Sequence, residues 1–264
     1  MVISTGLSRA LLVGAAALLF ALPTAAQAQQ GPSANIIGGA PVPSDASYPY
    51  LAAVLGKADP VNGFFCGGTL IAPRWVLTAA HCLAPLAGIV PKYVGIGARD
   101  RSNPALQMIP VTSYLRHPSY DETALQNDVM LLRLASAPVG ITPLPRATAA
   151  QDPPNGASAT TVGWGLTVQN PVESDTPPLI AREADTEIVS NASCATAWSE
   201  VSQVIASQIC TQHTSPTYKS GCKGDSGGPL IFGNRQVGIV SYGTAGCTDN
   251  APSVYTRVSS YQQW

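Results

Sequence analysis

Three short segments of this 264-residue chain carry side chains that together could break an acyl bond. Ser226 lies among glycines in the segment Gly-Asp-Ser-Gly-Gly-Pro, His81 lies in Thr-Ala-Ala-His-Cys, and Asp128 directly precedes an apolar run. A serine hydroxyl is a weak nucleophile at neutral pH unless a base removes its proton, and the base needs a group that orients it. The chain supplies these groups in the order His, Asp, Ser, which predicts hydrolysis with a serine nucleophile.

Strand-like segments surround these three residues. Residues 75–78 are typical of a strand that runs toward His81, and residues 129–134 are typical of one that follows Asp128. The other predicted strands are 50–55, 64–71, 159–164, 183–189, 236–242 and 253–258. Two strand-rich halves flank the Pro-rich residues 137–156, so the pattern favours two antiparallel barrels.

The composition excludes several classes of protein. The net charge is -1 and only 11% of residues are charged, so there is neither a basic stripe for nucleic acid nor an acidic tail. The 24 glycines and 23 prolines, with few helical patterns, are typical of short strands joined by turns. The length suits one large all-β domain or two small ones.

Residues 1–28 are typical of a secretion signal. Arg9 precedes the apolar run 10–22, and Ala-Gln-Ala at 26–28 offers a cleavage site between small residues. The run is short for a bilayer span, although an uncleaved membrane anchor is the alternative. We therefore expect a secreted protein (periplasmic in a Gram-negative bacterium) that does not associate with a membrane once the signal is removed.

The six cysteines indicate disulfides, since secreted proteins mature in oxidising compartments. The sequence alone leaves fifteen pairings open. No Cys-x-x-Cys pair occurs, so we expect no transition-metal site.

The segments around His81, Asp128 and Ser226, in this order, resemble the trypsin/chymotrypsin-like serine peptidases, and the resemblance covers residues 36–264. It implies an all-β fold of two six-stranded antiparallel β-barrels, with the active site between them and a short C-terminal helix. The first barrel would span about 36–142 and the second about 143–255. Of the fifteen pairings, the resemblance selects Cys66 with Cys82, Cys194 with Cys210, and Cys222 with Cys247.

The resemblance also implies a role for each residue of the site. His81 would be the general base toward Ser226 and then the general acid toward the leaving amine. Asp128 would hold the imidazole in the required tautomer, with Ser241 at the position that hydrogen-bonds this aspartate. The backbone N–H groups of Gly224 and Ser226 would form the oxyanion hole.

Residues 29–35 resemble a short propeptide. In the family, cleavage before an Ile-Ile-Gly-Gly-like start frees an α-amino group, here that of Ile36, which pairs with the aspartate before the serine, here Asp225. The preceding residue is Asn35 rather than Arg or Lys. We therefore expect trypsin to be a poor activator, and an asparagine-specific protease or self-processing to cleave this bond.

Four positions predict substrate preference. By the resemblance, Ser220 stands at the base of the specificity pocket, Gly243 and Ser253 line its walls, and Lys223 lies at its mouth. Without a carboxylate at the base, a buried P1 Arg or Lys would have no partner. We expect apolar P1 residues (Leu, Met, Phe or Tyr); the alternative is a polar or acidic P1 residue that the two serines and Lys223 would accept.

The sequence thus predicts a secreted serine endopeptidase, made as a zymogen, that hydrolyses peptide bonds through an acyl-enzyme without a cofactor or a metal. Its expected partners are polypeptide substrates, an activating protease and protein inhibitors, and we expect a monomer that does not bind nucleic acid. One alternative is a secreted, non-catalytic protein of the same fold that binds protein or glycan ligands; the complete set of three residues argues against it. The other is an esterase-type hydrolase.

Overall fold

Six antiparallel strands form a first closed barrel. The structure is a computed structural model, and it describes residues 36–199, 203–212, 219–248 and 251–264. The predicted signal and propeptide lie outside the described residues. The strands of the first barrel are β2 (Leu51–Leu55), β3 (Phe64–Ala72), β4 (Trp75–Thr78), β5 (Tyr93–Ile96), β6 (Gln107–Arg116) and β7 (Met130–Leu134). They close in the order β2-β3-β4-β7-β6-β5.

A second antiparallel barrel follows. Its strands are β8 (Ser158–Gly163), β9 (Arg182–Val189), β10 (Gln208–Gln212), β11 (Pro229–Phe232), β12 (Arg235–Tyr242) and β13 (Ser253–Arg257). The order is β9-β10-β13-β12-β11-β8, and pairing of β8 with β9 closes the barrel. A short strand β1 (Ala40–Pro41) adds to β9, although the predicted boundary assigns residues from 36 onward to the first barrel. The all-β fold of two six-stranded antiparallel barrels is confirmed.

The barrels pack against each other through β2, whose five residues are all buried. Ala52 and Val54 belong to the core of the first barrel. Leu51 and Ala53 point the other way and pack with residues of the second barrel such as Val162. Because successive side chains of a strand face opposite sides, continuous burial here means that each face of β2 meets a different core.

The one α-helix among the described residues, α1 (Asn191–Trp198), packs on the second barrel. Ser190 caps its N-terminus by accepting a hydrogen bond from Ser193 N–H. Cys194 and Trp198 are buried four positions apart, on one face of the helix. Near the C-terminus, Val258–Tyr261 forms a 3₁₀ turn where a short helix is predicted. No helix in the described ranges is long and apolar enough to cross a bilayer.

Three disulfides brace the fold. They join Cys66 to Cys82, Cys194 to Cys210 and Cys222 to Cys247, and these are the pairs that the resemblance implies. The first links β3 to the turn that carries His81. The third links the segment before Ser226 to the far side of the predicted pocket. By the chain-entropy estimate, loops of this length stabilise the fold by about 3 kcal/mol each.

Candidate active site

Strand register brings His81 and Asp128 together. Strands β4 and β7 are antiparallel, with Thr78 opposite Met130, so the residues just after β4 and just before β7 lie at the same end of the barrel. His81 lies in a 3₁₀ turn after β4, and Asp128 lies two residues before β7. His81 Nδ1 is 2.7 Å from Asp128 Oδ2, and the His81 backbone N–H donates to Asp128 Oδ1 at 2.9 Å.

The second barrel completes the environment of Asp128. Ser241, on β12, donates its hydroxyl to Asp128 Oδ2 at 2.6 Å, and Thr256, on β13, donates to the Asp128 backbone carbonyl at 2.8 Å. The Asp128 side chain is fully buried, whereas that of His81 is 25% exposed. The aspartate therefore joins the two barrels, and one edge of the imidazole remains accessible from solvent.

The pKa values of this pair move apart. Burial alone would raise the pKa of Asp128, but the charge of His81 and the hydrogen bonds from His81 and Ser241 outweigh it and lower that pKa. Burial alone would lower the pKa of His81, but the charge of Asp128 and its hydrogen bond give a net rise. Asp128 is thus ionised at neutral pH, and it stabilises a proton on the imidazole.

A tight turn before β11 places Ser226 beside the turn that carries His81. Gly67 N–H donates to the Ser226 carbonyl at 2.8 Å, and the Cys82 sulfur lies 3.8 Å from the same oxygen. The neighbouring Gly227 has a φ of +80°, and a Cβ there would overlap Thr78 Oγ1. Only glycine allows the Ser226 segment to approach β4 this closely.

The backbone around Ser226 presents two free donors. Asp225 N–H bonds the Cys222 carbonyl at 2.9 Å, and Gly227 N–H bonds the Val240 carbonyl at 2.8 Å. The N–H groups of Gly224 and Ser226, on either side of Asp225, have no acceptor in the part of the chain that the structure describes. The φ of Gly224 is +100°, a conformation that other residues rarely adopt.

Asp225 is fully buried, and among the described residues it forms no ion pair. Its carboxylate accepts hydrogen bonds from Gly165 N–H at 2.7 Å and from Cys222 N–H at 2.9 Å. Cβ atoms at Gly163 and Gly165 would overlap the carboxylate, so neither position has room for a side chain. Burial outweighs the two hydrogen bonds and raises the pKa of Asp225 to about 6.

The segment that begins at Ile36 packs against residues that neighbour this carboxylate. Ile36 and Ile37 are buried, and the Ile37 carbonyl accepts a hydrogen bond from Ser220 N–H at 3.2 Å. Ile37 packs with Leu166 and Cys222, and Cys222 N–H bonds Asp225.

A cavity of about 200 Å³ opens beside Ser226. Lys223, Gly243 and Ser253 line it, as do Ser241 and Tyr242. Lys223 is exposed.

Ser253, which lines the cavity, contacts Ser220, the predicted pocket base, which is not itself among the lining residues. Ser220 is only 6% exposed, and its hydroxyl lies 3.0 Å from that of Ser253 and 2.8 Å from the Gly221 carbonyl. A hydroxyl has one proton, so Ser220 donates to Gly221 and accepts from Ser253. Among the described residues that line the cavity there is no carboxylate.

Sequence reasoning missed Thr256 and Phe64. Thr256 belongs to an ordinary alternating strand, and nothing in its sequence context reveals its bond to the Asp128 carbonyl. Phe64 begins β3, and its ring edge lies against the backbone of Gly224.

The only cluster of three potential metal ligands in the described ranges is Cys66, His81 and Cys82, and both of its cysteines belong to one disulfide.

The chain matches the family described as Trypsin over residues 36–264. It is 34% identical to a chymotrypsin from Phaedon cochleariae over 246 residues, which cover 90% of this chain and 83% of the relative. It is 37% identical to brachyurin from Leptuca pugilator over 239 residues, which cover 87% and 96%. The solved structure of neuropsin, a serine protease expressed in the limbic system of mouse brain, superposes with a TM-score of 0.73 at 29% identity and covers 86% of this chain and 96% of that chain.

Proposed function

Because this chain belongs to the trypsin family and is a serine-type endopeptidase, we propose that His81, Asp128 and Ser226 are its catalytic residues. One observation carries the proposal: the buried Asp128 carboxylate accepts hydrogen bonds from both His81 Nδ1 and Ser241. An ionised carboxylate only accepts hydrogen bonds, so Nδ1 carries the proton, and the lone pair of the neutral ring is on Nε2. That nitrogen is then the base that Ser226 requires.

In the first half of the reaction, Ser226 Oγ attacks the carbonyl carbon of the peptide and His81 Nε2 accepts the hydroxyl proton. The negative charge moves to the carbonyl oxygen, where the free N–H groups of Gly224 and Ser226 can donate to it. His81 then gives its proton to the leaving amine, and the C–N bond breaks. Asp128 stabilises the imidazolium throughout.

In the second half, a water molecule attacks the acyl-enzyme, His81 takes a proton from that water, and the same two N–H groups stabilise the second oxyanion. His81 returns the proton to Ser226 Oγ as the acid product leaves. Removing one oxyanion donor typically costs about 3 to 4 kcal/mol of transition-state stabilisation. No cofactor is needed for any of these steps.

We further propose that the enzyme prefers an apolar P1 residue. Ser220 donates to the Gly221 carbonyl and accepts from Ser253, and neither hydroxyl carries a negative charge that could pair with a cationic P1 side chain. The exposed Lys223 at the mouth adds a repulsive charge. The alternative is a polar or acidic P1 residue, which the two serines and Lys223 would accept.

We also propose that the protein is secreted as a zymogen and that cleavage between Asn35 and Ile36 activates it. The buried Asp225 carboxylate, with two N–H donors and no ion pair among the described residues, is the partner that a new ammonium would need. The burial of Ile36 and Ile37 close to Ser220 and Cys222 supports insertion of the new terminus there.

The catalytic proposal is tested by labelling and by one substitution. Protein whose N-terminus has been sequenced as Ile36 is treated with a serine-reactive sulfonyl fluoride, and the modified residue is identified by mass spectrometry. We expect one label, at Ser226, and loss of nearly all peptide hydrolysis in Ser226→Ala. Ser259→Ala is the matched control because its hydroxyl binds Asp152, away from the site, and it should remain active. Undiminished hydrolysis by Ser226→Ala would refute the assignment.

The P1 proposal is tested by digesting a P1-randomised peptide library with the same preparation. Cleavage should concentrate after Leu, Met, Phe or Tyr. Cleavage after uncharged polar residues or after Glu or Asp would support the alternative, and strong cleavage after Arg or Lys would contradict both.

A further inference from the structure

Arg101 is a buried cation without a carboxylate partner. It is 1% exposed and is among the largest fully buried side chains of the described residues. It forms no ion pair within 4 Å in the described ranges, and the neighbouring Asp100 carboxylate accepts instead from Ser102. Burial lowers the pKa of Arg101 to about 10, against the opposing effect of Asp100. Burying such a charge is costly, so its position calls for an explanation.

The guanidinium binds two loops at once. Nη1 donates to the carbonyls of Pro60 and Val61, and Nη2 donates to those of Pro177 and Pro178 at 3.3 and 3.1 Å. The planar fork of an arginine can direct donors to both loops, whereas a lysine has a single compact head group.

The same guanidinium stacks on Phe64. Its central carbon lies 4.3 Å from the centroid of the Phe64 ring, a favourable cation–π distance. The ring makes an edge contact with Trp164, whose indole N–H is bound to the Arg99 carbonyl at 2.8 Å. Phe64 is therefore held on one face by Arg101 and at its edge by Trp164.

Phe64 in turn limits where Gly224 can lie. A Cβ built on Gly224 would be 3.2 Å from Phe64 Cε1 and 3.2 Å from Gly165 Cα, so the glycine backbone fits between the ring and the chain beside it. The Gly224 N–H is one of the two proposed oxyanion donors, and oxyanion stabilisation depends closely on donor position.

We propose that Arg101 is a positioning residue for the oxyanion hole: by fixing both loops and the Phe64 ring, it holds the Gly224 N–H in its catalytic orientation. The proposal rests on the proposed function of Gly224. A purely structural role would affect stability alone. A positioning role must also lower the rate of the chemical step, because the interaction that it protects is made in the transition state.

The test compares Arg101→Met with Arg74→Met in the activated, active-site-titrated enzyme. Methionine keeps much of the unbranched stem and removes the guanidinium. Arg74 is a matched control because its guanidinium also binds backbone carbonyls, those of Leu134 and Ala135 at the end of β7. With an amide substrate, we expect Arg101→Met to lower kcat by about tenfold to a hundredfold, since small misplacements near the reacting groups have effects of this size. KM should change by less than about twofold, as for loss of an interaction made only in the transition state.

Two further measurements separate positioning from general loosening. A peptide aldehyde, which forms an oxyanion in the site, should lose affinity in proportion to kcat, and an uncleavable ground-state peptide should not. Phe64→Leu should lower kcat as well, and the double variant should lose less than the product of the two single effects because both residues act on Gly224.

The proposal is overturned if kcat of Arg101→Met stays within about twofold of the Arg74→Met value, or if only KM changes. If Arg101→Met does not fold, kcat is measured in Arg101→Lys and Phe64→Leu instead. An unchanged kcat in both of these variants also overturns the proposal. Absence of sulfonyl labelling at Ser226 in the parent enzyme would instead refute the proposed function itself.

Discussion

The buried carboxylate of Asp225 should make the uncleaved precursor less stable as the pH rises. Burial raises its pKa from the ordinary value of 3.8 to about 6, so the native state keeps the proton over a range in which the unfolded chain loses it. The free energy of unfolding then falls between about pH 4 and pH 6 and levels off above that. A shift of about 2 pKa units, at about 1.36 kcal/mol each, makes the fall about 3 kcal/mol.

Two precursors are compared, the parent with Asp225 and the Asp225→Asn variant. Both carry Ser226→Ala, which prevents self-processing. Urea unfolding is measured from pH 4 to pH 8. An asparagine also alters the hydrogen bonds from Gly165 and Cys222, but that effect does not depend on pH and shifts the whole curve by a constant. The stability of the parent relative to the variant should fall by about 3 kcal/mol between pH 4 and pH 7.

The control is the same two proteins, the parent and Asp225→Asn, after cleavage between Asn35 and Ile36. The Ile36 ammonium should lower the pKa of Asp225 and so remove the fall. The pKa of the ammonium itself should rise above its usual value of about 8, so its contribution to stability is complete below pH 8 and is lost as the pH rises through the raised value. A precursor whose stability relative to the asparagine variant does not change with pH, or increases with pH, would refute this account of Asp225.

Three further predictions concern the cleft. Asp128→Asn should lower kcat by a factor on the order of 10⁴ and move the acidic limb of the pH–rate profile to lower pH, because loss of the carboxylate charge lowers the pKa of His81; an unmoved limb would contradict this. Ser241→Ala removes the 2.6 Å hydrogen bond to Asp128 and should therefore raise the pKa of that carboxyl group. Because such a bond is worth about 1.5 kcal/mol, kcat should fall by about tenfold, and an unchanged kcat would show that the bond is dispensable. Ser220→Asp should improve cleavage after Arg and Lys relative to apolar residues, measured as a ratio of kcat/KM values; an unchanged ratio would show that Ser220 is not the pocket base.

Residue spacing located the strands that carry the site. Residues 75–78 were predicted as a strand and match β4, and the predicted run 129–134 differs from β7 by one residue. These strands have apolar residues bounded by turns, and their ends carry His81 and Asp128. Their pairing, and therefore the meeting of the two side chains, depends on the register of Thr78 with Met130, which the sequence does not encode locally.

Other elements carry weaker signals, and the sequence analysis missed them. Strand β6 is largely exposed over its second half and rich in polar residues, so it shows no apolar alternation. Strand β11 has only four residues and begins with Pro229, directly after the glycines of the Ser226 segment. Helix α1 buries only Cys194 and Trp198, too few apolar residues for a helical pattern. In each case tertiary contacts rather than local preference determine the structure.

The buried Asp225 and Arg101 side chains lie beside the proposed oxyanion hole and show why the residues that support it are hard to find in a sequence. Asp225 is stabilised by backbone N–H groups and Arg101 by backbone carbonyls, which are groups that nearly every residue has. A sequence search for opposite charges therefore finds no partner for either of them. Gly224 lies between the two environments, against Phe64 on the Arg101 side and against Gly165, whose N–H binds Asp225. The Ile36–Asp225 pair would act on this glycine from one side, and Arg101 would act on it from the Phe64 side. Disrupting the pair and removing the Arg101 guanidinium should therefore each reduce kcat, and the two losses should not be additive.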